Sequence, residues 1–571
     1  MPCQFNWIWQ CGEAPLKVEK AGVNLQRRGF LKAGGAASLA TLIGHRLSIA
    51  ASISDSRIEV LVEEPIATIS PNIYGHFIEH IGGSIYDGVW VGEGSSIPNT
   101  AGIRSALVER LRQIHAPVIR WPGGCFADSY DWKDGIGTKR PRRTNFWVEE
   151  FDAALQKSRA PQVYDPNAFG TDEFIRFCRL SGAQPYLAAN VRSLPALDLD
   201  RWVEYCNSPA GSTTMADLRA EAGSRDPYNV RYWGIGNESW GCGGGFSPQD
   251  YATEFTRYTA WIPKYGLPLD FIASGPTGND LDWTHGFFEK VFSFGDHSLT
   301  GWSIHYYAWN LSRGKTSDWV AGKGDALKFD LVDWYELFQQ GYLMEKIIED
   351  QWEAMGKYDT ERSVKLVVDE YGPWYRKGTE ILPEFILSQQ ITIRDALFTA
   401  FTLDIFNRHA DKISMAACAQ LINNMNALFF AHEDKFIITP NFHVFDLYAA
   451  HQNGTALRTE FSSPAVKYMR DGKEATFWSL KGSASRKDKT VTLTVVNADA
   501  SAGREAQIIL RGARPISAKV RTLANADIHA HNTFEHPDTV MPRDEAITTA
   551  ADGLHFTFPA ASVTAITMTL G

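Results

Sequence analysis

The feature that most constrains this 571-residue chain is an alternation repeated eight times, a short apolar run followed by an amphipathic helical segment. The runs are NIYGHFIE (72–79), PVIRW (117–121), PYLAANV (185–191), YWGIGNE (232–238), FIASG (271–275), GWSIHYY (301–307), KLVVDEYG (365–372) and ISMAACAQLIN (413–423). Most are continuously apolar rather than alternating, as in parallel strands covered on both faces. Between them lie segments such as IRSALVERLRQIH (103–115), with Leu107, Leu111 and Ile114 on one stripe. In SPQDYATEFTRYTAWI, Ser247 is placed to cap a helix, with Pro248 at its first position and Asp250 in its first turn. Eight such units predict an α/β fold, a closed TIM-type (β/α)8 barrel.

After about residue 435 the periodicity changes. TVTLTVVN (490–497), QIIL (507–510), AKVRTL (518–523), LHFTFP (554–559) and SVTAITMTL (562–570) are short strands separated by turn residues, which predicts an all-β, jelly-roll-like sandwich. RIEVLVEE (57–64) has the same character and no helix after it, so it is expected to join that sandwich. The expected organisation is a leader over 1–52, an N-terminal strand over 53–71, the barrel over 72–434 and the C-terminal β-sandwich over 435–571.

The N-terminal stretch QRRGFLKAGGAASLATLIGHRLSIAAS pairs Arg27 and Arg28 ahead of a weakly apolar run and small residues near Ala50. It reads as a twin-arginine export signal, predicting a periplasmic or secreted protein, and its apolar run is too short for a stable membrane anchor. Removing it leaves Cys125, Cys178, Cys206, Cys242 and Cys418, an odd number at wide spacing that indicates neither a disulfide framework nor a zinc ribbon. The expectation is a chain without bridges. A net charge of −10 offers no basic face to a nucleic-acid backbone.

In a β/α barrel the C-terminal strand ends converge on one face, where catalytic groups collect. The polar residues at those ends are Glu79, Arg120, Asn190, Asn237, Glu238, His305, Tyr306, Tyr307, Asp369, Glu370 and Gln420. A carboxylate in the aromatic setting of YWGIGNESW is costly unless compensated, so Glu238 calls for a reason. Glycosidic hydrolysis supplies one. It needs one carboxylic acid to protonate the leaving oxygen and one carboxylate to attack or to activate water, and Glu238 and Glu370 end the fourth and seventh strands. A semi-enclosed pocket and a second negative charge would keep Glu238 protonated near neutrality. No metal or organic cofactor is required.

The motifs YGHFIEHIGGSIYDGVW, IRWPGGCFADSYDWKDGIG, YWGIGNESW, SIHYY, VVDEYGPWY and AQLIN, in this order over roughly residues 57 to 571, resemble those of glycoside hydrolase family fifty-one, the α-L-arabinofuranosidases. The resemblance implies a retaining double displacement releasing terminal arabinofuranose from arabinan- or arabinoxylan-type glycans, with Glu238 as acid/base and Glu370 as nucleophile. It implies that Asn237 holds the sugar 2-hydroxyl and that Glu79, Arg120, Tyr307 and Gln420 line the furanose pocket. His305, by its place beside Tyr306 and Tyr307 at a strand end, is suited to steering a carboxylate or a sugar hydroxyl. The resemblance also makes a homo-oligomer an expectation. Cys125 stands where many members have Asn, at a position that would face the sugar, and Tyr371 stands where Trp is frequent. The WGCGGG stretch (240–245) is either a loop over the pocket or a turn without ligand contact.

Two other readings compete. HFIEH (76–80) matches an inverted zinc-peptidase signature, which requires both histidines on one long helix, but Gly75 precedes it and Gly82 and Gly83 follow. A non-catalytic glycan-binding protein on the same scaffold is the other, against which the glutamate pair argues. Within the enzyme class, an open cleft would point to endoglucanase or xylosidase action.

Overall fold

The computed structural model describes residues 55–147, 164–295, 297–312, 315–550 and 553–571. The expected leader lies outside them. Eight strands close into a parallel barrel: Gly75–Phe77, Val118–Trp121, Gln184–Ala189, Tyr232–Ile235, Asp270–Ala273, Leu299–Ala308, Lys365–Pro373 and Ile413–Ala419. They occupy the eight runs anticipated from sequence, and the eighth pairs in parallel with the first to complete the cylinder.

Some helices form where the sequence places a cap. Ser247 accepts from the backbone of Asp250 to open Pro248–Thr259, and Pro248 fills a position whose N–H would have no partner. Leu107 and Leu111 in the helix Ser105–Gln113, and Ile114 just after it, are fully buried. Helix Pro440–Tyr448 stands where strands are expected from sequence. Thr439 caps it through Asn441, Pro440 begins it, and it lies against helix Ile393–Arg408.

Inside the barrel, Val118, Tyr186, Tyr232, Ile272, Val367 and Met415 fill the lower cylinder. Phe77, Ala417 and Ala419 lie above them, with Tyr307 against that layer. The small residues at 417 and 419 leave room at the rim for polar side chains, so the strand pattern itself sets the depth at which a pocket begins.

The second unit is a ten-stranded sheet in which Ser56–Thr68 runs antiparallel to Thr455–Ser462 and parallel to Arg504–Arg511. Inward residues from both ends of the strand order, Leu554 and Phe556 with Val520, Ile566 and Met568, share one apolar core. Strands Thr455–Ser462 and Leu480–Lys487 escape the sequence reading because Gly, Ser and charged residues dilute their apolar content. The two units meet at Asp404. This buried carboxyl on the helix Ile393–Arg408 accepts from Ser483 and Thr494 of the sandwich at 2.7 and 2.6 Å, and from Tyr448 at 2.8 Å. Among the described residues no helix is long and apolar enough to cross a membrane.

Candidate active site

The seventh barrel strand carries Glu370 into the barrel mouth, where both its oxygens are held. Arg120 donates to Oε1 at 2.9 Å and Tyr307 to Oε2 at 2.8 Å. The Arg120 guanidinium is itself buried, lies over the Phe77 ring at 4.7 Å, and also donates to Asn237 Oδ1 at 2.5 Å. It therefore fixes the orientation of two candidate residues from strands four and seven at once. Beneath it Asp369 receives the Tyr186 hydroxyl at 3.0 Å and stands 3.9 Å from the Arg120 Nε, so the buried cation has two carboxyls around it.

Glu238 reaches the same space by a sharp turn. Gly236 (φ 80°) and Glu238 itself (φ 42°) are in the left-handed region, which costs a non-glycine residue strain that is characteristic of working positions. The loop after it is packed too closely for a side chain at Gly243. A Cβ on Gly243 would stand 1.8 Å from the Asn237 carbonyl oxygen.

His305 lies between the two glutamates, its Nδ1 3.2 Å from Glu238 and 3.6 Å from Glu370. One side-chain polar atom from each of Glu238, His305 and Glu370 lies within 4.8 Å of the other two. Burial raises the Glu238 carboxyl above its usual range, against the pull of His305, and the negative charge of Glu370 adds to the rise. Burial acts upward on Glu370 as well, but His305, Arg120 and the Tyr307 hydroxyl together outweigh it and hold that carboxyl below the usual range. The environments push the two glutamates apart, one toward acid and one toward anion. For His305, burial acts downward and the two carboxylates reverse it, leaving the imidazole raised.

Glu79 closes the pocket on the side of strands one and eight. It accepts from Gln420 Nε2 at 2.9 Å and from the Phe126 backbone at 3.0 Å. Burial and then the charge of Glu370 push it up to about 7. The two glycines of RWPGG are needed for this approach. A Cβ on Gly123 would lie 2.6 Å from Glu79 Cγ, and one on Gly124 would lie 2.9 Å from Glu370 Oε1.

The structure thus gathers Glu79, Arg120, Cys125, Asn237, Glu238, His305, Tyr307, Glu370 and Gln420 in one pocket. Two other strand-end candidates point elsewhere: Asn190 bonds to the Tyr130 carbonyl and Ser193, and Tyr306 donates to the Gln340 carbonyl. Tyr371, which stands where Trp is frequent in the family, is wholly buried against Phe406, so it forms no wall for a sugar. HFIEH is strand and loop rather than helix. His76 packs on Phe445 while His80 bonds to Asp165 and receives the Trp121 indole.

One expectation is overturned outright. Cys125 and Cys242 form a disulfide across 117 positions, joining the loops after strands two and four beside Glu238. Counting cysteines cannot find it, because the pair becomes near only when the barrel closes. The informative signal was that both follow strand-end motifs, RWPGGC and GNESWGC. The same disulfide shows that WGCGGG is part of the pocket wall. Asp128 was also missed, although it stands in a quoted motif. It is buried, accepts from the backbone N–H groups of Val191, Arg192 and Asn237, and is raised to about 7 by burial against those bonds. It is a positioning residue for Asn237.

Comparison with known proteins agrees with this geometry. The family model of the α-L-arabinofuranosidase 1 domain matches residues 110–319 and that of the α-L-arabinofuranosidase C-terminal domain matches 369–562. The chain is 34% identical over 502 residues, 86% of its own length and 92% of the relative's, to an intracellular exo-α-L-arabinofuranosidase of Bacteroides ovatus. It is 29% identical over 389 residues, 64% of this chain and 70% of the relative, to an intracellular exo-α-(1→5)-L-arabinofuranosidase of Acetivibrio thermocellus. The crystal structure of a GH51 arabinofuranosidase from Xanthomonas axonopodis pv. citri superposes with a TM-score of 0.81 at 34% identity, covering 90% of this chain and all of that one. These names correct the expectation of export. The relatives are called intracellular, and the twin-arginine segment on which that expectation rested lies outside the described residues.

Proposed function

This chain belongs to glycoside hydrolase family 51, the α-L-arabinofuranosidases, and from that premise we propose that it releases terminal non-reducing α-L-arabinofuranosyl residues by a retaining double displacement. It is a glycosidase with arabinofuranosidase activity. Its substrates on this reading are arabinose-containing plant polysaccharides or oligosaccharides of the arabinan and arabinoxylan type. The exo term in the relatives' names supports action at chain ends, and the (1→5) term in one of them supports an arabinan-type linkage.

One observation carries the mechanism. One oxygen of Glu238 and one of Glu370 lie within 4.8 Å of each other. Retaining enzymes hold their carboxyls roughly 5 to 5.5 Å apart, whereas inverting ones leave roughly 6.5 Å or more for a water. Glu238, raised by burial, protonates the departing oxygen, while Glu370, kept ionised by His305 and Arg120, attacks the anomeric carbon and forms a glycosyl-enzyme. Glu238, now ionised, takes a proton from the incoming water, which releases the sugar. Asn237, fixed by Arg120 and Asp128, faces the 2-hydroxyl, and Glu79 with Gln420 bonds the remaining hydroxyls of the furanose.

The test is turnover of an aryl α-L-arabinofuranoside beside an aryl β-xyloside and cellulose oligomers, with NMR identification of the first anomer released. Furanoside turnover with retention, abolished in Glu370→Ala, is expected. Preferential turnover of the cellulose oligomers would overturn the substrate, and a first product of inverted configuration would overturn the double displacement.

A further inference from the structure

Two sulfurs stand in the pocket wall that hydrolysis does not use. Cys125 Sγ lies 3.7 Å and Cys242 Sγ 3.5 Å from the same oxygen of Glu238, Oε2, while its other oxygen is held by His305. As a disulfide the pair has little affinity for a cation, since the thiolate is the metal ligand. Reduced, it offers two thiols beside a carboxylate. The donor atoms of Cys125, Glu238 and Cys242 already lie within 4.8 Å of one another. In a tetrahedral zinc site, with bonds of about 2.3 Å to sulfur and about 2.0 to 2.2 Å to oxygen, neighbouring sulfur and oxygen ligands are about 3.5 Å apart. Both sulfur-to-oxygen separations here are close to that edge.

We propose that reduction of the Cys125–Cys242 disulfide converts this wall into a binding site for a thiophilic divalent cation of the zinc class, with the two sulfurs and Glu238 Oε2 as ligands and the fourth position open to the sugar pocket. The surroundings fit a metal centre. His305 fixes the free oxygen of the ligating carboxylate, as outer-shell partners do, and the Asn237 amide stands 3.9 Å from Cys242 Sγ, oriented to donate to it. Cys242 is only half-buried, so solutes reach the pair. The remaining described cysteines do not compete. Cys178, Cys206 and Cys418 are wholly buried.

The chemistry balances with a dithiol reductant such as dithiothreitol. The dithiol supplies two electrons and two protons, the protein S–S bond breaks to two thiols, and the reagent closes to its own cyclic disulfide. Zinc then displaces the thiol protons as it binds. Metal binding does not depend on the catalytic role given to Glu238, but its consequence does, because a ligated Glu238 can no longer protonate a leaving group.

The experiment uses the full-length protein, reduced with dithiothreitol, freed of reagent without air and titrated with zinc chloride, with the oxidised protein in parallel. The reduced protein is expected to bind one zinc per chain and the oxidised protein none at the same concentration. Cobalt chloride in place of zinc should produce thiolate-to-cobalt charge-transfer absorption in the reduced protein alone. Cys242→Ser should abolish both signals, and alkylating the reduced pair with iodoacetamide is a second route to the same loss that does not rely on folding of a variant. Absence of stoichiometric zinc from the reduced protein, a cobalt spectrum without thiolate bands, or equal binding by the oxidised form would overturn the site. Zinc bound with turnover intact would leave the site standing and overturn the acid role of Glu238.

Discussion

The hydroxyl of Tyr307 donates to Glu370 Oε2 over 2.8 Å, opposite the Arg120 bond to Oε1, so the proposed nucleophile has no oxygen without a fixed partner. Its preference for the ionised form is shared among His305, Arg120 and this phenol. Tyr307→Phe removes one donor while keeping the ring against Trp374. A hydrogen bond to a charged group is worth about 1.5 to 3 kcal/mol, so kcat/KM should fall on the order of 10- to 100-fold. The Glu370 carboxyl should also rise, moving the acidic limb of the pH profile upward. Full activity with an unmoved acidic limb would show that the phenol does not support the anion.

His305 bears on both limbs. It lowers Glu238 and Glu370 alike, against burial that raises each. Removing it in His305→Ala should therefore raise both carboxyls. The acidic limb, set by ionisation of Glu370, and the alkaline limb, set by deprotonation of Glu238, should both shift to higher pH. At the optimum the loss should be roughly tenfold or more. Limbs moving in opposite directions would contradict the placement of this imidazole between the pair.

The barrel and much of the pocket were legible because strand order puts Glu79, Arg120, Asn237, Glu238, His305, Tyr307, Glu370 and Gln420 at strand ends, and apolar runs betray strands. Which strand-end side chains turn inward was less legible. Tyr306 and Tyr307 are adjacent and face opposite ways, as successive strand residues do, and only the register of the sixth strand decides that Tyr307 meets Glu370. Asp128 and the Cys125–Cys242 bridge depend on loops that meet only once the cylinder closes, so although each cysteine follows a strand-end motif, nothing in either motif names its partner. Asp128 answers the backbone of other loops rather than its neighbours in sequence.

Gly124 tests how closely the loop after the second strand must approach Glu370. A Cβ there would stand 2.9 Å from Glu370 Oε1 and 3.4 Å from the Phe77 ring. The carboxylate would have to yield by several tenths of an ångström, disturbing its bond to Arg120. Misplacing a catalytic group by about 1 Å can cost about 100-fold, so Gly124→Ala should lower kcat by roughly 10- to 100-fold. The melting temperature should change little, since the atom that must give way is the end of the Glu370 side chain rather than backbone. A variant with normal kcat would show that the loop has slack the packing does not reveal.

Asp404 couples the sandwich to the barrel and sets a pH limit on that coupling. Burial raises its carboxyl to about 7, although Thr494, Ser483 and Tyr448 all donate to it and pull the other way. In the unfolded chain an aspartate titrates near 3.9, so the folded value is the higher one. Stability from this group is therefore full below roughly pH 4 and is lost as pH rises through the folded value near 7. The loss is on the order of a few kcal/mol, because one pKa step is worth about 1.4 kcal/mol. Asp404→Asn keeps an acceptor for the sandwich hydroxyls and offers an amide toward Tyr448, without a charge to bury. Thermal unfolding followed between about pH 5 and pH 8 should show the parent losing stability with rising pH more steeply than the variant. Parallel curves would mean that the hydroxyls satisfy an ionised Asp404 fully and that this junction is indifferent to pH.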